Sequence, residues 1–259
     1  MRKLNLILCV LLGVNLAYAN DIICKDSSIE SKPVSNVIKW YRNSVEKRAL
    51  YHQTFNNGLK YIMAYNKHHK PWGVILDIDE TTLDNSWYYK QCGDVSSEDE
   101  FSRYVVLAEA SEELPGAKNF TCKIKQIGGY VTLLSNRDGS YTLNDKSVLA
   151  STINNLKSQG VCFDQVVLAN RKTAPNPSDK NPRFNAVIKG TCDTKLMVCS
   201  NILPSHAVIA YFGDNIQDFP KLFQADLITK SAEDGKYNMF SNGYFILPNP
   251  LYGSWMKNN

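Results

Sequence analysis

The segment GVILDIDETTLDN, residues 73–85, sets Asp77, Asp79 and Glu80 directly behind an apolar run. Anions at the mouth of a core lose hydration and repel one another, so something must offset them. Two further polar clusters follow similar runs: Ser135-Asn136-Arg137 after YVTLL, and Gly213-Asp214-Asn215 after AVIAYF. Asp77, Asp79 and Asp214 gathered in one crevice would need a cation, and an all-oxygen donor set suits Mg²⁺. A carboxylate can also attack phosphorus and form an acyl phosphate, with the metal screening it from an anionic substrate. In that chemistry Asp77 is the nucleophile. Asp79, two positions along, could protonate the leaving oxygen and then deprotonate water, provided its pKa is raised. Thr81 could orient it through a hydrogen bond. Ser135 and Asn136 can donate to phosphate oxygens, and Lys180, in a polar loop, can reach in as a point charge.

Every one of these residues also has a plain structural use. Ser135 can be a turn residue, Lys180 a solvated loop lysine, Arg137 the partner of a structural carboxylate, and Asp218 the cap of a helix starting near Phe219-Pro220. Only their joint placement favours chemistry. The rival metal reading, an EF-hand over DIDETTLDNSWY, fails because its sixth position is Thr82 rather than Gly and its twelfth is Tyr88 rather than Glu.

The elements that must position these groups alternate. Residues 34–66 carry apolar residues at helical spacing from Ile38 to Ile62, with Ser35 or Asn36 able to cap the start and Gly58 weakening the middle, so two helices are possible. Strands are expected at WGVILDID, YVTLLSNR (130–137), FDQVVLAN (163–170), AVIAYFGDN (207–215) and ADLITK (225–230). A helix beginning near Pro115-Gly116 and another over 144–158 lie between them. Strands this apolar, alternating with helices, indicate an α/β fold with a parallel sheet covered on both faces. DID, SNR and GDN then fall at strand C-terminal ends, the edge where ligands bind in such sheets.

The N-terminus, MRKLNLILCVLLGVNLAYAN, reads as a signal peptide: Arg2 and Lys3, an apolar stretch over residues 4–16, and Ala17-Tyr18-Ala19 as the cleavage signal. Cleavage after Ala19 leaves one domain over residues 20–259, exported to the periplasm or secreted. It removes two cations and no acid, lowering the formal charge from +4 to +2. A balanced surface gives no argument for nucleic-acid polymers or membranes, and no later stretch is apolar for long enough to span a bilayer. Six cysteines remain, permitting up to three disulfides, of which Cys192–Cys199 is the pairing expected.

The same residues resemble a known family. DIDET is similar to the DxDxT nucleophile loop of the haloacid dehalogenase (HAD) superfamily of phosphatases, LLSNR to its second motif, Lys180 to its third and GDNIQDF to its acidic fourth. DIDETTLDNSWY, SDKNPRF, YFGDNIQDF, FILPNPLYGSW and the early WYRNSVEKRALYHQTF resemble the bacterial class C acid phosphatases of subfamily IIIB. The resemblance implies a Rossmann-like core with a smaller helical cap region built from the N-terminus and insertions. It implies a Mg²⁺-dependent acid phosphatase acting on phosphomonoesters, 5′-nucleotides among them. Asp77 would be the nucleophile, Asp79 the acid/base with its backbone carbonyl on Mg²⁺, and Ser135, Asn136 and Lys180 the phosphate site. Asp214 and Asp218 would complete the metal shell, and Tyr104 and Tyr252 would grip the leaving group. The partner is a small phosphomonoester, with oligomeric state open and a homodimer among the options. The stretches 171–182 and 189–206 look longer than usual for the family and could reshape access or form a disulfide-pinned flap. A phosphate- or nucleotide-binding or storage protein on the same scaffold, or a phosphotransferase, is the alternative.

Overall fold

The computed structural model describes residues 34–65, 71–92 and 97–257 of the chain. The expected signal peptide and Cys24 lie outside these residues.

The first helical stretch is two helices, α1 (Asn36–Asn43) and α2 (Val45–Tyr65). Ser35 caps α1, its hydroxyl accepting from the Ile38 N–H at 3.3 Å. The break falls at Ser44 rather than Gly58. Ser44 is extended, with ψ 141°, and its side chain accepts from the Lys47 N–H, so it stops one helix and caps the next. Gly58 stays helical because a neighbour needs the space: a Cβ there would sit 2.4 Å from the Phe212 ring.

There follow β1 (Trp72–Leu76), β2 (Leu83–Asp84), α3 (Ser86–Cys92), α4 (Glu98–Ala108), β3 (Glu112–Glu113), α5 (Ala117–Gln126), β4 (Tyr130–Asp138), β5 (Thr142–Leu143), β6 (Lys146–Ser147) and α6 (Val148–Ser158). Then come β7 (Gln165–Ala169), α7 (Asn181–Lys189), β8 (Met197–Cys199), β9 (Ala207–Gly213), α8 (Gln224–Leu227) and β10 (Tyr244–Ile246). The main sheet has six strands in the order β10-β9-β1-β4-β7-β8, parallel except for β8. Two small ribbons, β2–β3 and β5–β6, stand apart from it.

Two expectations need correction. ADLITK is not a strand: it contributes to the short helix α8, and only Leu227 of this stretch is buried, while Ile228 is 54% exposed. The fifth parallel strand is β10, which pairs Tyr244–Ile246 with Tyr211–Gly213. The segment 189–206 is not a flap over the cleft. It carries β8, which hydrogen-bonds antiparallel to β7 at the sheet edge, with Cys192–Cys199 closing its loop. A second disulfide, Cys122–Cys162, ties α5 to the loop before β7.

Alternation along β1 explains the two-sided core. Val74 and Leu76 pack with Phe55 of α2, Phe120 of α5 and Phe212, while Ile75 faces Leu134, Val167, Phe184 and Tyr211 on the other side. Register then sets the site. Leu76 is level with Leu133 of β4 and with Phe212 of β9, so the residues just beyond each, Asp77, Ser135 and Asp214, emerge at one edge.

Candidate active site

Fifteen of the described residues, drawn from stretches far apart in the chain, line a cleft of about 230 Å³ at the C-terminal edge of the sheet. Among them are Asp77, Asp79, Ser135, Asn136, Lys180, Asp214, Asp218 and Tyr252. Of the site residues expected from the sequence, all but Thr81 and Tyr104 line the cleft. That tyrosine is 1% exposed, stacks with Trp87 and Tyr88 in the cap, and meets Ser111 through its hydroxyl. It is a core residue of the helices covering the cleft and does not line it.

Lys180 is 3% exposed and lies between two acids, its Nζ 2.7 Å from Asp77 Oδ1 and 2.6 Å from Asp218 Oδ1. Local sequence chemistry explains that position. Asp179 accepts from the Asn181 N–H at 2.9 Å, and Pro182 sets the first turn of α7. Arg183, 1% exposed, then clamps the loop to β4 by donating to the Ser135 carbonyl, the Asn136 side-chain oxygen and the Pro177 carbonyl. Burial lowers the Arg183 pKa to about 10. Burial also lowers that of Lys180, but Asp218 and Asp77 outweigh it and hold the ammonium charged.

Asp77 is pushed up to about 7, first by burial, against the pull of Lys180 and with Asp218 and Asp79 adding repulsion. Its Oδ1 has Lys180 nearby but receives no aligned hydrogen bond. Asp79 behaves in the opposite way, and the expectation of a raised pKa for it is not met. Burial raises it, but Arg137 with Ser135 and Asn85 lowers it more. Arg137 reaches it through Nε and Nη2 at 3.0 and 2.8 Å, Ser135 Oγ donates at 2.9 Å and Asn85 Nδ2 at 2.8 Å. Ser135, expected to face phosphate, is therefore committed to Asp79 in this state. Of the two open readings of Arg137, pairing with a carboxylate is correct, and the carboxylate belongs to the site.

Thr81 does not orient Asp79. Its hydroxyl donates to Asp214 Oδ1 at 3.0 Å, while Asn249 donates to Oδ2 at 2.8 Å. The cause is Glu80, whose φ of 54° turns the chain after Asp79 and ends strand alternation. Glu80 is fully buried and pushed up to about 8, by burial and then by Asp79. It accepts from the Asn85 N–H at 2.8 Å and from the Tyr252 hydroxyl. Tyr252 therefore reaches the cleft from the C-terminal segment, braced from behind. Asp218 does not cap a helix at Phe219. It accepts from the Asn215 N–H at 2.8 Å, closing a capping box around a 3₁₀ turn over Ile216–Asp218.

The residues present fit a divalent cation. Asp77, Asp214 and Asp218 can each offer one oxygen, all within 4.8 Å of one another. The lining holds five acids, Asp77, Asp79, Glu98, Asp214 and Asp218, against three bases, Arg137, Arg171 and Lys180. Fully ionised, that leaves an excess of two negative charges. The strain of that excess is concentrated on Asp214, which has neutral donors only and whose pKa is raised well above the carboxylate range by burial, Asp218 and Asp77. A hard divalent cation on carboxylate oxygen is the ordinary remedy.

Paired aspartates, a buried lysine and three acids placed to hold a cation on a parallel sheet edge are parts that phosphate-ester hydrolysis can use. The chain belongs to the HAD superfamily, subfamily IIIB (acid phosphatase), whose family model matches residues 19–255. It is thus an acid phosphatase, a phosphomonoester hydrolase. The class C acid phosphatase from Bacillus anthracis is similar in structure, with TM-score 0.65, 25% identity, and 85% of this chain matching 84% of that one. A structure of the Bacillus anthracis class C enzyme with tungstate bound matches equally well, at 26% identity and TM-score 0.65.

Proposed function

We propose that the protein is an exported, Mg²⁺-dependent phosphatase that hydrolyses small phosphomonoesters, 5′-nucleotides among them, through an aspartyl-phosphate on Asp77. The observation that carries this reading is the placement of Asp77 against Lys180, beside Asp214 and Asp218, in a cleft sized for a small molecule. Tungstate is a tetrahedral oxyanion, and that the Bacillus anthracis relative binds it supports a phosphate-ester substrate. Asp77, Asp214 and Asp218, with the Asp79 carbonyl as the family resemblance implies, would hold Mg²⁺, which would supply positive charge to keep Asp77 ionised and to offset charge on the phosphoryl oxygens.

The residues of the chain divide the rest of the work. An Asp77 oxygen attacks phosphorus, and the ester P–O bond breaks toward the leaving oxygen. Lys180 compensates the transferring group, and Asn136, fixed by Arg183, borders it. Asp79 moves the proton. Because Arg137 holds Asp79 ionised, the proton comes with the substrate: below a pH of about 6 a phosphomonoester is a monoanion. Asp79 takes that proton and delivers it to the leaving oxygen, then accepts one from the water that cleaves the acyl phosphate. This assignment ties acid-favoured turnover to the Arg137–Asp79 pair.

The disulfides Cys122–Cys162 and Cys192–Cys199 and the signal-like N-terminus support export, with residues 20–259 as a single domain. Among the described residues no helix is long and apolar enough to cross a membrane. The mechanism is tested with Asp77→Asn on an aryl phosphate with Mg²⁺ present. Turnover should fall by about 10⁴-fold or more, since the nucleophile is gone. Turnover close to wild type would overturn the acyl-phosphate route.

A further inference from the structure

Arg171, the second residue after β7, is held from the core side. Its Nε donates to the Asn136 carbonyl at 3.0 Å, and its backbone N–H donates to Asp138 Oδ1 at 3.3 Å. The remaining face of its guanidinium meets the cap, where Nη2 lies 2.9 Å from Glu98 Oε1 in the first turn of α4. Both residues line the cleft. The Arg171 side chain is 20% exposed and that of Glu98 59%, so the arginine is the fixed member and the glutamate the one free to swing away. Arg171 is also joined, through the Asn136 carbonyl, to the strand end that borders the phosphate site. Arg137 and Lys180, the other cations of the lining, are already buried against Asp79, Asp77 and Asp218. Among the described residues Arg171 is therefore the lining cation whose partner can leave.

We propose that the Glu98–Arg171 pair is a charge gate that selects the leaving group. It favours leaving groups without a second anion and discriminates against those with one, which must displace Glu98 from Arg171 to bind. The inference rests on the phosphomonoesterase reading of the cleft. Its physical basis is competition: a second phosphate or carboxylate on the leaving group and the Glu98 carboxylate cannot share one guanidinium without repulsion. The gate stands at the rim and in contact with water, so its effect is modest and falls as salt rises.

The test compares kcat/KM for phenyl phosphate with that for meta-(phosphonomethyl)phenyl phosphate, whose second anion cannot be hydrolysed. Glu98→Gln frees Arg171 and should raise the ratio of the second substrate to the first by about three- to fivefold. Arg171→Gln, which can still donate to the Asn136 carbonyl, leaves Glu98 uncompensated and should lower the ratio by a similar factor. Both shifts should shrink at high salt. A ratio unmoved by Glu98→Gln, or one that fails to fall in Arg171→Gln, overturns the gate. If Arg171→Gln is not recovered folded, the Glu98→Gln ratio decides alone. Absence of phenyl phosphate hydrolysis by the wild type would instead overturn the hydrolase reading beneath it.

Discussion

Replacing Arg137 by Met tests the central electrostatic claim about Asp79. Arg137 is 4% exposed and Asp79 8%, and the guanidinium binds both carboxylate oxygens while Nη1 donates to Thr152 at 2.9 Å. Removing one partner of a buried pair destabilises by about 3–5 kcal/mol when the other stays charged. Asp79 keeps Ser135 and Asn85 as donors, which places the loss near the lower end, about 3 kcal/mol. The loss should depend on pH. In the wild type the folded Asp79 pKa lies below its ordinary 3.8, so its contribution is present above that value and fades only as pH falls through the lowered pKa. In the variant, burial without Arg137 raises the pKa, so folding weakens as pH climbs past 3.8. Urea unfolding at about pH 5 and about pH 7.5 should therefore show a larger deficit at the higher pH, with an unchanged m-value. The double variant Arg137→Met/Asp79→Asn, having no stranded charge, should recover about 2 kcal/mol of that deficit at the higher pH. Turnover in Arg137→Met should drop by about 10²-fold as Asp79 loses its orientation. Equal deficits at both pH values, or a double variant no more stable than the single one, would refute the reasoning.

Other consequences can be checked separately. Glu80 is raised from 4.5 to about 8, so the folded state holds a proton that the unfolded chain has lost, and stability falls by about 1.4 kcal/mol per pH unit between those values. Glu80→Gln should flatten that part of the stability–pH curve in chemical denaturation, and an unchanged slope would contradict its buried, protonated state. Mg²⁺ at about a hundredfold over its Kd should raise the unfolding free energy by about 2.7 kcal/mol, read by thermal shift against EDTA, and Asp214→Asn should abolish the gain. Because Asp77 sits near 7 without the metal, Mg²⁺ binding at about neutral pH should also release protons, measurable by calorimetry in two buffers of different ionisation heat. Cys122–Cys162 closes 40 residues and Cys192–Cys199 only 7. Loop entropy alone makes the first worth about 4 kcal/mol and the second about 2.5, so paired Cys→Ala variants should lose stability in that order. Turnover at low denaturant should survive in both variants, since none of the four cysteines lines the cleft.

What the sequence revealed and what it hid follow from one physical distinction. Strand period and chain direction are local, so DID, SNR and GDN could be placed on one edge before any contact was known, and the parallel register then aligned them. Pairing across that edge is not local. Arg137 and Asp79 are 58 residues apart, and the pairing is held by buried hydrogen bonds to Asp79 and Thr152 that spacing does not reveal. Tyr104 could have been recognised as core, because Tyr104, Val105 and Ala108 lie on one helical stripe, which argues for packing over ligand contact. Tyr252 carried no such periodic signal, and its place became evident only through Glu80. That glutamate shows why strand alternation could not be carried past Asp79. With φ at 54° it reverses the chain, sends Thr81 to Asp214 and buries its own carboxyl behind Tyr252. A left-handed glutamate costs about 1 kcal/mol or more in backbone free energy, and no residue-type pattern announces it. The turn does, however, free Asp77 and Asp79 from strand geometry, so one aspartate can sit beside Lys180 while the other is locked to Arg137. Two carboxylates two positions apart thus sit in different surroundings: Asp77 beside Lys180 and the acids Asp214 and Asp218, where a cation would hold it ionised to attack phosphorus, and Asp79 locked to Arg137, from where it can pass a proton.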